Sequence, residues 1–506
     1  MSKSKKSLFI FFSVGLILLA WNLWLHHDLT NMICSIDADK WSRATEEIAA
    51  QRYALATESD RLPFLPFLAQ LGLWAGHSTI DALQLVSRMS WIFSIAILVA
   101  GFFHRYGPIP SAACAFALIF AQSYAQLTLE INAQILLNAE FAALLILGPI
   151  LSRSSSPFAW ILLGALAALT TVTKEQGFLL FPLVMLAFII QNWSSRWLGL
   201  LGRFGAFWVG ALPILAWLYS WLLSMWYRGL KFEQLRSDLN DLLKAESWSE
   251  AVNQNLYWGR INITYHQPTS YWDSLLNAWP RLTHDTGNHF LLSLGCFGIA
   301  LGWLLYRRWK KLEFCMYGAE LLWCVVMIIP MLPLFAMLLI EPYHLSFLQI
   351  PAMGLLAWST AQLTKYTEGK WIFIALLPVF ATLVFLTSRY QHIHNAVAGN
   401  LGACAAGRIL PVDRWVERRF GKEHPVIYTD PMIRFDRLRP DSHSWITESQ
   451  DMPKPCQTQA LIATSEWTNG YDNIAPYLGG WQWKLAASIR SINQEIWEVY
   501  TPYCPK

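Results

Sequence analysis

The feature that most constrains this chain is a succession of apolar runs, each about as long as a bilayer is thick. One extends from Leu8 to about Trp24. Others lie near 79–103, 108–126, 133–151, 157–173, 177–191, 204–225, 289–306, 319–340, 345–363 and 371–388. At ~20 residues per crossing, the pattern predicts about eleven transmembrane helices. A soluble chain of 506 residues would instead divide into several domains with polar faces. Here 55% of residues are hydrophobic and only 14% charged. The basic residues sit in the gaps between runs rather than on one face. With a net charge of only +4, that distribution excludes nucleic acid as a partner.

The gaps orient the chain. Lys3, Lys5 and Lys6 precede the first run as in a signal peptide, but no small-residue cleavage site follows, so an uncleaved first span is expected. With the N-terminus in the cytoplasm, the inner loops contain His104-Arg105, Arg153, Arg196 to Arg203, Arg307 to Lys311, and Lys365 to Lys370. Each carries Lys or Arg, as the positive-inside rule requires. The short outer loops are 127–132, 174–176 and 341–344, and only Lys174 puts a Lys or Arg there.

Three outer segments are long: about 26–78, about 226–288, and the tail from Arg389. In the tail charge rises and no run can span. Val426-Ile427-Tyr428, Leu461-Ile462-Ala463 and Ile496 to Tyr500 read as strands, and Val412 to Phe420 as a helix. The expected architecture is a mainly α membrane bundle over residues 1–388, with a small extracytoplasmic α/β domain over 389–506. No Cys or His spacing fits zinc. Cys114, Cys296 and Cys324 fall in spans and read as core residues. Cys456 and Cys504 fall in the tail, where an oxidising compartment permits a disulfide; Cys34 and Cys404 are rival partners.

Ionisable residues at membrane depth are costly and are usually paired or functional. Here they gather at one side: Asp37 and Asp39, Glu130, Lys174 and Glu175, Glu341 and His344. Such clustering points to a polar cavity, open to the outside, for a charged head group. Asp37-Ala38-Asp39 can supply a general base toward an acceptor hydroxyl. It can equally cap the helix that the pattern from Thr45 onward predicts. The same Asp-x-Asp string leaves room for a divalent metal, although no glycine-rich phosphate loop accompanies it. Lys174 can hold a phosphate by charge-assisted hydrogen bonds, or snorkel, or pair with Glu175. Arg61, where the first outer segment returns to the membrane, can meet a substrate phosphate or a lipid head group. His344 can contact phosphate or sit at the interface.

Three segments together resemble the multi-spanning GT-C glycosyltransferases, and within them the bacterial relatives of protein O-mannosyltransferase and of the lipid A aminoarabinose transferase. They are Asp37-Ala-Asp39-Lys-Trp41, Arg61-Leu-Pro63-Phe-Leu-Pro66, and Thr173-Lys174-Glu175-Gln-Gly177; Pro342-Tyr343-His344 is a weaker fourth. The family shows Asp-Glu where this chain has Asp37-Ala38. The resemblance implies inverting transfer of a sugar from a polyprenyl-phosphate carrier to a glycan, lipid or protein acceptor. Asp37 would be the base, with Asp39 the alternative, and Lys174 would hold the departing phosphate with Arg61 or His344. Glu130, Glu175 and Glu341 would support them. The lipid-linked sugar is a substrate, and no soluble cofactor is implied. A polysaccharide polymerase or ligase, with arginines in the 226–288 loop, and a membrane transporter are the rival readings. The family likeness also implies a bacterial inner membrane.

Overall fold

The computed structural model describes residues 3–25, 38–57, 61–119, 131–174, 176–193, 197–227, 287–310, 318–328, 342–366, 412, 415–420, 427–428, 443–444, 461–464, 483–490 and 496–502. The chain divides into two compact units, one carrying the helices and one built around a C-terminal sheet.

The helices, in order, are α1 (Lys3–Leu25), α2 (Ala38–Ala49), α3 (Tyr53–Ala56), α4 (Phe64–Trp74), α5 (Thr79–Tyr106), α6 (Pro108–Ile119), α7 (Ala133–Arg153), α8 (Pro157–Thr173), α9 (Gln176–Asn192), α10 (Trp197–Tyr227), α11 (Gly287–Trp309), α12 (Gly318–Ile328) and α13 (Pro342–Tyr366). Among the described residues, three helices are long and apolar enough to cross a membrane: α5, α7 and Leu198–Met225 within α10. Shorter apolar helices α4, α8 and α9 accompany them. This is a membrane protein. The run expected near 371–388 lies outside the described residues.

Local chemistry explains where these helices begin and end. Ser78 accepts a hydrogen bond from the Asp81 N–H at 3.2 Å and caps α5. Gly107, with φ of 97°, ends it, and Pro108 opens α6. Asn132 caps α7 by accepting from the Gln134 N–H at 2.9 Å. The amphipathic helix expected from Thr45 starts earlier, at Ala38. Asp39 therefore stands in the first turn of α2 and not in a loop ahead of it.

Trp91, Phe141, Phe188, Phe207 and Trp323 fill the centre of the bundle, with Cys114, Cys296 and Cys324 among them. The three cysteines are buried core residues, as expected. Helices α8 and α10 touch backbone to backbone. A Cβ at Gly164 would overlap the Phe207 carbonyl, and one at Gly210 would overlap the Ile161 carbonyl. Small residues at such crossings let van der Waals packing stand in for the missing hydrophobic drive within lipid. The outward faces stay apolar: Val209, Leu212 and Tyr219 on α10 are all more than half exposed.

In the second unit, β1 (Ile427–Tyr428), β2 (His443–Ser444), β3 (Leu461–Thr464), β4 (Trp483–Arg490) and β5 (Ile496–Pro502) form one sheet in the order β2-β1-β3-β5-β4. The first three strands run parallel, and β5 is antiparallel to β3 and β4. Leu461, Ile462, Trp497 and Val499 are buried. Strands β1, β3 and β5 coincide with the expected ones, and residues 415–420 are helical. Strand β4 was not anticipated; it carries a bulge between Leu485 and Ala487.

Candidate active site

Two stretches of the helical unit carry the cations singled out by sequence. The first is the return of the chain after α3. Arg61 is half-buried, its guanidinium carbon lies 5.6 Å from the centroid of the buried Trp41 ring, and its carbonyl accepts from the Trp221 indole N–H at 3.0 Å. Pro63 then starts α4. Gln70 on α4 donates to the carbonyls of Thr45 and Pro66, each at 3.0 Å, which ties α2 to α4. Trp41 and Arg61, drawn from two of the sequence motifs, are thus brought into one cation–π contact.

The second stretch is the turn between α8 and α9. Lys174 leaves α8 in an extended conformation, with φ −156° and ψ 157°, and the Gly177 N–H closes the turn on the Lys174 carbonyl at 2.9 Å. A side chain at Gly177 would collide with the Thr170 carbonyl, so the turn needs glycine there. This accounts physically for the Thr-Lys-x-x-Gly pattern: a helix end, an extended cation and a glycine that lets the chain double back. Expected as separate runs, 157–173 and 177–191 are indeed separate helices, parted at Lys174.

Helix α7 holds this turn at two points. The Lys174 ammonium donates to Asn132 Oδ1 at 3.3 Å, and Thr173 Oγ1 donates to Glu140 Oε1 at 2.6 Å. Glu140 is only 7% exposed. The two stretches share an apolar cluster in which Leu62, next to Arg61, packs with Val172, two residues before Lys174, and with Leu218.

Beside them, α4, α5, α7 and α8 enclose a groove of about 400 Å³, lined by Phe64, Leu68, Leu85, Leu136, Leu169 and Glu140 among others. Its walls are apolar apart from Ser90 and Glu140. Phe64 stands three residues after Arg61, and Leu169 five before Lys174, so the groove is lined in part by the helix that follows one cation and the helix that precedes the other.

Other expected site residues are placed less fully. Asp39 lies in α2 and His344 in the first turn of α13, their side chains outside the described residues. Asp37, immediately before α2, lies outside them altogether, as do Glu130, Glu175, Glu341, Cys456, Cys504 and the 226–288 loop apart from the end of α10 and the start of α11. Among the described residues no three of His, Cys, Asp and Glu come together as metal ligands. Sequence reading missed Glu140 and Thr173. The signal was an acidic residue within an otherwise apolar run, at 133–151.

No protein-family model matches the sequence, and no curated protein matches it. Solved structures do. ArnT from Cupriavidus metallidurans in the apo state matches with a TM-score of 0.52 at 14% identity, over 98% of this chain and 98% of that one. The same protein bound to undecaprenyl phosphate matches with a TM-score of 0.48 at 13% identity, over 97% of each chain. The resemblance to the GT-C glycosyltransferases, carried in sequence by three short motifs, thus extends to tertiary structure: this chain has the fold of the apo ArnT structure along nearly its whole length.

Proposed function

We propose that this protein is an inverting glycosyltransferase that moves a sugar from a polyprenyl-phosphate carrier to an acceptor outside the cytoplasm. The observation that supports it best is that the stretches carrying Arg61 and Lys174 share an apolar cluster, next to a groove lined by the helices they adjoin. A polyprenyl phosphate has that form: a long apolar chain ending in an anion. The groove takes part of the tail. The Lys174 ammonium and the Arg61 guanidinium take the phosphate, to which both can give charge-assisted hydrogen bonds.

In the reaction, Asp37 accepts the proton of the acceptor hydroxyl as its oxygen attacks the anomeric carbon. The bond from that carbon to the phosphate oxygen breaks, and polyprenyl phosphate leaves with the electron pair. Lys174 stabilises the charge developing on the leaving oxygen, with Arg61 or His344 beside it. Asp39 is the alternative base, and Glu130, Glu175 and Glu341 orient the head group. If the acceptor is already an anion, Asp37 orients it rather than deprotonating it. The acceptor, whether lipid, glycan or protein, is selected by the 226–288 loop and an extracytoplasmic C-terminal domain, which a Cys456–Cys504 disulfide would brace. The protein sits in a bacterial inner membrane with its N-terminus in the cytoplasm.

The test is sugar transfer by purified protein in lipid nanodiscs from a panel of polyprenyl-phosphate sugars, with Asp37→Asn and Lys174→Ala as folded controls. The reading requires that wild type consume a donor and that Lys174→Ala fail. Loss in Lys174→Ala alone moves the base to Asp39 or makes the acceptor an anion. If no donor is bound or consumed, the reading is wrong and transport becomes the next activity to assay.

A further inference from the structure

Glu140 is a carboxylic acid inside the apolar bundle, and the catalytic reading above gives it no role. A charge at such depth is costly, so a structural need should be visible if one exists. Satisfying Thr173 is not that need, because the Thr173 hydroxyl already has an acceptor in its own helix, the Leu169 carbonyl at 2.9 Å. Its single proton is shared between that carbonyl and Glu140 Oε1 at 2.6 Å. Glu140 Oε2 is buried without a hydrogen-bond partner among the described residues.

What Glu140 does hold is the last residue of α8. Thr173 is fully buried, and the next residue is Lys174, where the chain leaves the helix extended. Asn132, eight residues before Glu140 on α7, receives the Lys174 ammonium. Helix α7 therefore grips the turn through the Thr173 hydroxyl at Glu140 and through the Lys174 ammonium at Asn132. Without the lower grip, the end of α8 would depend on its last hydrogen bonds, such as Lys174 N–H to the Thr170 carbonyl at 3.3 Å. Last turns held so weakly fray readily.

We propose that Glu140 is a positioning residue: through Thr173 it sets the direction in which Lys174 leaves α8, and so the strength with which Lys174 holds the donor phosphate. The second half of this statement rests on the function proposed above; the first half does not.

The experiment uses full-length protein in phosphatidylcholine nanodiscs with two readouts. One is equilibrium binding of undecaprenyl phosphate; the other is amide exchange of the 170–178 segment without ligand. Glu140→Ala and Thr173→Val should each weaken binding about tenfold, the scale of one buried hydrogen bond to a charged group, and speed exchange at the turn. Glu140→Gln keeps an acceptor for Thr173 and should restore both readouts to near wild type. The double variant should be no weaker than either single one, since both break the same tie. A merely structural Glu140 would lower the thermal midpoint and leave both readouts unchanged. The proposal is overturned by that result, or by a Glu140→Gln variant no better than Glu140→Ala. If wild type does not bind undecaprenyl phosphate but exchange follows the expected order, the tie stands and the assignment of Lys174 to phosphate falls.

Discussion

The two ends of helix α8 make an instructive pair. At its start, Arg153-Ser-Ser-Ser-Pro157 joins α7 to α8 in an exposed turn closed locally, with Ser156 N–H donating to Ser154 Oγ at 3.1 Å and Pro157 in the first helical turn. At its end, Thr173-Lys174-Glu-Gln-Gly177 joins α8 to α9 under the constraint of α7, through Asn132 and Glu140. Both turns carry a cation next to a helix end. The first satisfies itself, is polar and exposed, and fits the ordinary loop rules. The second draws buried polar groups from another helix, which membrane interiors penalise unless something is gained. In the function proposed above, the cation held by buried groups binds phosphate, whereas the exposed one has no part in binding.

Five substitutions can break or sharpen this contrast. The largest effect is expected from Gly177→Ala, whose new Cβ would strike the Thr170 carbonyl. Backbone, unlike a side chain, cannot swing aside, so a loss of about 3 kcal/mol is expected, visible as a sharp drop in the yield of monodisperse protein and in its thermal midpoint. Next comes Lys174→Ala, which should fold normally and lose ~100- to 1,000-fold in transfer rate. Arg153→Ala at the other end should leave that rate unchanged. Should Arg153→Ala be as damaging as Lys174→Ala, the contrast fails. Asn132→Ala removes both the α7 cap and the acceptor of Lys174. It should cost about 1 kcal/mol in thermal unfolding and weaken binding of undecaprenyl phosphate, whereas a change in stability alone would make Asn132 only a cap. The smallest effect belongs to Ser155→Ala in the exposed turn, expected within ~0.5 kcal/mol of wild type by the same melt.

Much of the bundle was legible because lipid imposes a simple rule: apolar stretches of span length become helices. The runs at 79–103, 133–151 and 204–225 correspond to the three helices long and apolar enough to span. Lys174 and Arg61 were legible as candidates because cations are rare where the orientation placed them. Glu140 was not, since the run that contains it reads as one span and a single acid does not interrupt it. Nothing in Asn138-Ala-Glu140-Phe says that its partner is thirty-three residues away on the next helix. In the sheet, β1, β3 and β5 were visible as short apolar strings, whereas β2 is the pair His443–Ser444, which carries no apolar signal, and β4 was not anticipated.

By itself the sequence determined that this chain must be a membrane helix bundle, and at which residues the helices are interrupted, because hydropathy and glycine or proline placement act locally. Only the tertiary structure decided which interruptions matter. It joined Arg61 to Trp41 and brought Leu62 against Val172. It also laid Glu140 under Thr173, with Lys174 above reaching Asn132. These pairings depend on helix rotation and crossing distance, as at the Gly164 and Gly210 contact. Such quantities are set by how whole faces interlock, and no single stretch of residues encodes them.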